Sequence, residues 1–278
     1  MTPEQTRIFR SGSTTFYNST RFFPRPIREK VFRLYAFVRV VDNFVDSVPQ
    51  QGAAFLAFRD QFYIDRITGY SKNLIIRDFV TLEKECGFNE EWANAFFDSM
   101  QMDLTQKTYA TERELDKYTF GAAQVIGLFM AKIMSLPFEA MDSAKDLGRA
   151  FQQINFVRDI AEDLTFGRTY IAQSDLELYG LKTLDLTETI KNPRAFYDLV
   201  HHELGLFETY LEHAKAGFWY LPRSVRVAVM TASDMYEWTA AQISKDPFVI
   251  YKTKVKPPKS LVRWSGLKNI VLSVHKYK

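Results

Sequence analysis

The sequence predicts an all-α protein, a single domain of roughly ten helices over residues 1–278, and three observations carry that prediction. The chain has only 12 Gly and 10 Pro against 24 Phe and 14 Tyr, too few turn formers for a sandwich or barrel of many short strands. No stretch alternates apolar and polar residues long enough to demand a sheet, and there is no internal repeat. Helix start and stop signals recur with short breaks between them. A length of 278 residues sits at the upper edge of one domain. With 46% hydrophobic and 25% charged residues, the composition excludes a disordered, collagenous or low-complexity polypeptide.

Taken in order, Pro26 opens a helix at its first turn, and the apolar run from Ile27 to about Ser47 continues it. Pro49 and Gly52 mark a break, and Phe55 to Ile67 follows as a second helix before Thr68-Gly69. Thr111 and Glu114 form a capping box for a segment ending near Leu136-Pro137. Asp142 caps the next helix, which runs to about Leu164 with Gly167 beyond it. Ser174 and Glu177 make a second capping box for a short helix that stops at Gly180. Asn192-Pro193 starts a helix that Gly217 ends, and Leu221-Pro222 starts another that lasts to about Lys245.

Cys86 is the only cysteine, which excludes an internal disulfide framework and suits a reducing compartment. Four scattered histidines offer no zinc spacing, and His201-His202, lacking an HExxH context, reads as surface. The net charge of +3 is unevenly spread. From Lys245 to Lys278 nine Lys or Arg face one acid, a net +8, so residues 1–244 carry −5. A basic tail on an acidic body suits nucleic acid, an anionic membrane or a polyanionic ligand, but no nucleic-acid reading motif accompanies it. The N-terminus MTPEQTRIFR lacks the apolar core of a signal peptide, and no apolar run is long enough to span a bilayer. The expected location is cytoplasmic, with peripheral membrane contact through the basic segment at about 246–278. From Ser260, Leu261, Trp264, Leu267, Val271 and Val274 recur every three or four residues among Arg263, Lys268, Lys276 and Lys278. That pattern fits either a last core helix or a helix lying in an anionic membrane surface.

Two carboxylate stripes carry the chemistry. Val31 to Val48 is apolar around most of its circumference, yet Tyr35, Arg39, Asp42 and Asp46 fall within an arc of roughly 60°. Acids are 33 of 278 residues, so about four i,i+4 acid pairs arise by chance, most of them on solvated faces. The apolar flanks set this pair apart, because buried acids are costly unless a cation meets them. In Phe151 to Leu164, Gln152, Asn155, Asp159, Glu162 and Asp163 share an arc of about 100°. Five carboxylates in one cavity cannot all stay ionised without cations between them. An all-oxygen donor set, with the Asn155 and Gln152 carbonyls, suits Mg²⁺, which takes phosphate oxygens in its remaining positions. A diphosphate ligand follows, with Arg39, Arg158 and Arg168 placed to bind it.

With these residues in view, the chain resembles the squalene/phytoene synthase family of head-to-head isoprenyl diphosphate synthases. The resemblance rests on GSTTF (12–16), YAFVRVVDNFVD (35–46), YTFGAAQVIG (118–127), FQQINFVRDIAEDLTFGRTYI (151–171), LPRSVRVAV (221–229) and DPFVIY (246–251). It implies a single isoprenoid-synthase-type all-α bundle around a central cavity, with the aspartate-rich motifs on facing helices. It implies that Asp42, Asp46, Asp159 and Asp163 bind Mg²⁺ (or Mn²⁺) and diphosphate, with Gln152, Asn155 and Glu162 beside them. By the same resemblance Tyr35, Arg39 and Arg158 orient the diphosphates, and Ser13, Thr15 and Phe16 come from an N-terminal flap. Tyr118 is the aromatic candidate for the reaction centre; Arg168 and Tyr170 lie in the GRTY motif. Ala123-Gln124 departs from a frequent Ala-Gly, and Gln124 is expected to put a polar group near the hydrocarbon cavity. Most of the 24 Phe are expected to be core.

The expected activity is condensation of two isoprenyl diphosphates, geranylgeranyl diphosphate foremost, to phytoene without NADPH. The alternatives are a squalene or dehydrosqualene synthase using farnesyl diphosphate and a catalytically inactive assembly factor. Both aspartate motifs are intact, which counts against the inactive reading. The sequence does not fix the oligomeric state.

Overall fold

In the computed structural model, which describes residues 20–275, every regular element is helical. Helix α1 (Arg25–Asp46) carries Pro26 in its first turn, where a missing N–H costs nothing. Helix α2 (Gly52–Thr68) stops at left-handed Gly69. The sequence signals place no element between Gly69 and Thr111, and the structure has two, α3 (Leu74–Cys86) and α4 (Glu90–Thr105). Each begins at an asparagine: Asn73 Oδ1 accepts from Ile75 N at 2.9 Å and Asn89 Oδ1 from Glu91 N at 2.9 Å.

Helix α5 (Glu112–Thr119) runs through a π-helical turn (Phe120–Gln124) into α6 (Val125–Ile133). Thr111 accepts from Glu114 N as predicted, but the Glu114 carboxylate turns to Ala110 N, so the box closes one residue early. The π turn lies against α4 so tightly that a Cβ on Gly121 would sit 1.9 Å from the Ala95 carbonyl oxygen.

The predicted helix from Asp142 to about Leu164 is two, α7 (Met141–Arg158) and α8 (Ile160–Thr165), with the interruption at Asp159. Asp142 is not the cap. The chain enters α7 from a 3₁₀ turn (Phe138–Ala140) with Ala140 already near helical geometry, and Asp142 pairs with Lys145 at 2.7 Å. The Ser174 box also fails to form. Helix α9 (Gln173–Leu178) has Ala172 as its N-cap, and its first amides go instead to a neighbouring strand of loop, Gln173 N to Tyr109 O and Ser174 N to Ala110 O. The remaining helices are α10 (Leu186–Lys191), α11 (Pro193–Ala216), α12 (Arg223–Lys245), α13 (Val249–Lys252) and α14 (Lys259–His275).

Phe37 of α1 shows why the composition is rich in Phe. Its ring stacks on Phe79 at 3.8 Å and meets Phe62, Phe96 and Phe97 within 6.0 Å, tying α1 to α2, α3 and α4. Truncating such a ring costs about 3–5 kcal/mol. Helix α11 packs along α7, and α14 packs on α12, leaving a cavity between α1, α5–α6, α7–α8 and α12.

Candidate active site

The cavity encloses about 750 Å³. Helix α1 enters it with Tyr35, Arg39, Asp42 and Asp46, and α7–α8 with Gln152, Asn155, Arg158, Asp159, Glu162 and Asp163. One helical arc delivers the α1 set, and the arc predicted for Gln152–Asp163 still reaches the same space across the break at Asp159. Tyr118, Arg168 and Tyr170 line the same cavity. Ser13, Thr15 and Phe16 lie outside the described residues.

Each arginine of the predicted set pairs with an acid. Arg39 Nη1 is 3.3 Å from Asp42 Oδ2, Arg168 Nη1 is 2.9 Å from Asp46 Oδ1, and Arg158 grips Asp159 with two nitrogens, Nε at 2.9 Å. Asp42 is pushed up to about 7, first by loss of solvation and then by the charge of Asp46, with Arg39 opposing. Asp163 is pushed up to about 8 by burial and then by Asp159. Burial acts on Asp159 as well, but Arg158 and Lys254 outweigh it and hold that carboxyl below its ordinary value. The carboxylates are thus short of positive charge, and Asn155 Oδ1 is a buried acceptor with no hydrogen-bond donor. A crowded all-oxygen set with an orphaned carbonyl fits a hard divalent cation.

The lining residues Asp103, Phe156, Tyr236, Lys254 and Lys256 escaped the sequence reading. Asp103 of α4 accepts from Tyr118 Oη at 3.0 Å and Tyr170 Oη at 2.5 Å. Burial pushes Asp103 up to about 6, against Arg168 and the two hydroxyls. The Tyr118 and Tyr170 rings stack at 5.0 Å, and Phe156 lies 5.1 Å from Tyr170, so an aromatic wall stands beside the carboxylates. Burial drives both tyrosine hydroxyls well above their ordinary range, keeping them protonated. Tyr236 of α12 is pushed up to about 12 by burial. Lys254 lies 3.1 Å from Asp159 Oδ1 and also pairs with Glu162, with Lys256 at the same rim. The signal for the lysines was present in the tail, where Lys254 and Lys256 flank Val255; the buried Val255 anchors an extended segment and leaves its neighbours at the cavity mouth.

The rest of the cavity is apolar, ending at Met130, Met134, Leu136, Phe218 and Leu221. At 1.5 Å per residue, Met134 lies about 24 Å along α5–α6 from Tyr118, so charge gathers at one end and hydrocarbon surface at the other. Gln124 corrects an expectation: Ala122 and Ala123 line the cavity, while Gln124 turns to a shallow surface pocket beside Asp116 and Arg149. Successive helical residues point about 100° apart, which suffices to turn Gln124 away from the face that Ala122 and Ala123 present. The histidine pair is also not simply surface. His201 is exposed, but His202 is half-buried, and its ligand atom lies within 4.8 Å of those of Glu112 and Asp175, away from the cavity.

A family model for squalene/phytoene synthase matches residues 9–266. A phytoene synthase of Rhodobacter capsulatus is 26% identical over 243 residues, 86% of this chain and 71% of that protein. A presqualene diphosphate synthase of Rhodopseudomonas palustris is 32% identical over 184 residues, 62% of this chain and 63% of its own length. Among solved structures, the squalene synthase HpnC of Alicyclobacillus acidocaldarius aligns with TM-score 0.78 at 22% identity, covering 88% of this chain and 93% of its own. A dehydrosqualene synthase crystallised with a ligand aligns with TM-score 0.84 at 19% identity, covering 95% and 93%.

Proposed function

The chain belongs to the squalene/phytoene synthase family and is a prenyltransferase of the head-to-head type; from that premise we propose that it joins two geranylgeranyl diphosphates to give phytoene. The observation that carries this reading is the pairing of two carboxylate clusters, each with cations at its edge, at one end of an otherwise apolar cavity.

Asp42, Asp46, Asp159 and Asp163, with Asn155 and Glu162 beside them, would hold Mg²⁺, which when bound neutralises the leaving diphosphate. Arg39, Arg158, Lys254 and Lys256 bind diphosphate oxygens at the rim, where each already faces an anion or the cavity mouth. Loss of the first diphosphate leaves an allylic cation, which the double bond of the second substrate attacks. Proton loss then closes a cyclopropylcarbinyl diphosphate. Loss of the second diphosphate, rearrangement and loss of a second proton give the product. No electron pair is gained, so no reductant is required. The faces of Tyr118, Phe156 and Tyr170 stabilise the passing cations, and the apolar lining keeps water from them. Asp103 accepts from both tyrosine hydroxyls and so fixes the two rings in place.

A second reading draws on the presqualene diphosphate synthase relative: two farnesyl diphosphates condense and the reaction stops at, or is reduced from, the cyclopropyl stage. Incubating the protein with Mg²⁺ and each diphosphate, with and without NADPH, separates the two by product mass. Phytoene from the C20 substrate without NADPH is expected. A C30 cyclopropyl diphosphate that converts to squalene only when NADPH is added would support the second reading.

A further inference from the structure

Helix α14 packs the wrong way round for a core helix. Its buried residues are Val262, Ser265, Gly266 and Asn269, and the polar pair forms the seam with α12. Asn269 Nδ2 donates to Asp234 Oδ2 at 3.0 Å and to Thr231 Oγ1 at 3.3 Å, while Ser265 Oγ donates to the same Asp234 oxygen at 2.5 Å. The apolar stripe faces away. Trp264 is 61% exposed, Leu267 64% and Val271 59%, one turn after another, with Ile270 beside them. A helix selected only to complete a bundle would bury that stripe and leave the asparagine in water.

The surroundings of the stripe indicate what covers it. Lys259, Arg263 and Lys268 are exposed on the same helix, and no acid follows Asp246 in the chain. Lys268 reaches back over the Trp264 ring, 5.7 Å from its centroid. Lys268 also pairs with Asp234 at 3.3 Å, and Lys259 and Arg263 complete the border; an apolar stripe with an amphipathic Trp and a basic border is complementary to an anionic lipid surface. No helix among the described residues is long and apolar enough to cross a membrane.

The seam also fixes direction. Ser265 meets Asp234 and Asn269 meets Thr231, so α14 runs antiparallel to α12 and its C-terminal half points to the start of α12. There the turn Phe218–Tyr220 holds Trp219, 59% exposed, while Phe218 and Leu221 line the apolar end of the cavity. We propose that the outward face of α14 docks the protein on an anionic bilayer, with Trp264 at headgroup level and the apolar end of the cavity beside the membrane. The docking does not depend on which diphosphate the enzyme consumes.

The test is co-sedimentation of the full chain with neutral and anionic vesicles at low and high salt, together with the variant Trp264→Ser/Leu267→Ser/Val271→Ser. These three side chains face outward, so unchanged circular dichroism and melting are expected of the variant. The wild type is expected to bind anionic vesicles at least about tenfold more tightly than neutral ones, to weaken with salt, and to lose about tenfold in the variant. A blue shift of tryptophan emission on binding, diminished in Trp264→Phe, is the second readout. Equal binding by the triple variant, or no wild-type binding to anionic vesicles at low salt, overturns the proposal. A wild-type dimer that the triple variant converts to monomer, with no vesicle binding by either, also overturns it and assigns the face to a second copy of the chain.

Discussion

The two aspartate motifs have the same spacing but different electrostatic settings. Around Asp42 and Asp46 the nearest cations are Arg39, at a loose 3.3 Å, and Arg168, which is 3% exposed and also donates to Val45 O. Around Asp159 the cations are a two-nitrogen grip from Arg158 and the half-exposed Lys254. Burial and then the charge of Asp46 raise Asp42, as burial and then Asp159 raise Asp163, while Asp159 itself is already neutralised by Arg158 and Lys254. Filling the site asks different things of them. On the proposed function, Asp42 and Asp163 would shed protons, whereas Asp159 would exchange Lys254 for a new partner, freeing that ammonium to meet the incoming anion.

The largest expected effect is common to both motifs. Asp42→Asn and Asp159→Asn should each lower turnover by about a thousandfold or more, since each removes several kcal/mol of charge stabilisation; steady-state rates with saturating Mg²⁺ measure it. Near-normal turnover in either variant would dissolve the paired-motif reading.

Stability separates the motifs next. Arg168→Ala strands Asp46 and the buried Asp103 without their cation and should cost about 3–5 kcal/mol. Lys254→Ala removes a partly exposed partner and should cost under about 1 kcal/mol. Urea melts of the two variants give the ratio, and similar losses would mean that the rim lysine is as structural as the buried arginine.

The pH profile then tests the sign. Asp42, raised in the folded state, makes metal-free protein lose stability as pH rises from about 4 through 7. Asp42→Asn should flatten that fall. Asp159, lowered in the folded state, contributes stability at neutral pH that disappears on acidification. Asp159→Asn should therefore be the less stable variant at pH 7, by about 2 kcal/mol. Thermal melts in chelator across pH would show the two curves crossing the wild type on opposite sides.

The smallest effect is a control outside the motifs. Glu203 is 4% exposed, raised to about 8 by burial and then by Asp175, and held only by Gln153. Glu203→Gln should leave turnover unchanged and remove the loss of stability between about pH 5 and 8 that this carboxyl imposes. If Asp42→Asn and Glu203→Gln flatten the profile alike, the charge of Asp46 adds no more to Asp42 than that of Asp175 adds to Glu203.

Much of this was legible in the sequence, because it depends on spacing. The arcs of Tyr35–Asp46 and Gln152–Asp163 needed only 100° per residue, and helix stops at Gly69 and Gly180 needed only a left-handed residue. What was not legible depends on distant chain. Asp103 looks like any acid on α4 until Tyr118 and Tyr170 arrive 15 and 67 residues away. Ser174 lost its capping role because the 109–110 loop supplied carbonyls first. Lys254 belonged to a tail whose charge favoured three partners at once, and only the fold brought it to Asp159. The direction of the α14 stripe was undecidable for the same reason, since the seam that orients it lies in α12.

The tight contact at the π turn has a bearing on how such an enzyme changes its substrate. Gly121 touches the Ala95 carbonyl, and a Cβ on Gly148 would stand 2.3 Å from the carbonyl of Ala123. Ala122, Ala123, Gly127, Ala144 and Gly148 line the bore, so little side chain remains to trim there, and a Cβ on Gly127 or Gly148 would meet a backbone carbonyl oxygen at 2.0 or 2.3 Å. The bore cannot be widened there without moving whole helices. Room to vary lies at the far end, where Met130, Met134 and Leu136 are long, unbranched or readily exchanged, and it is at those positions that a lineage of such enzymes would lengthen or shorten the chain it accepts.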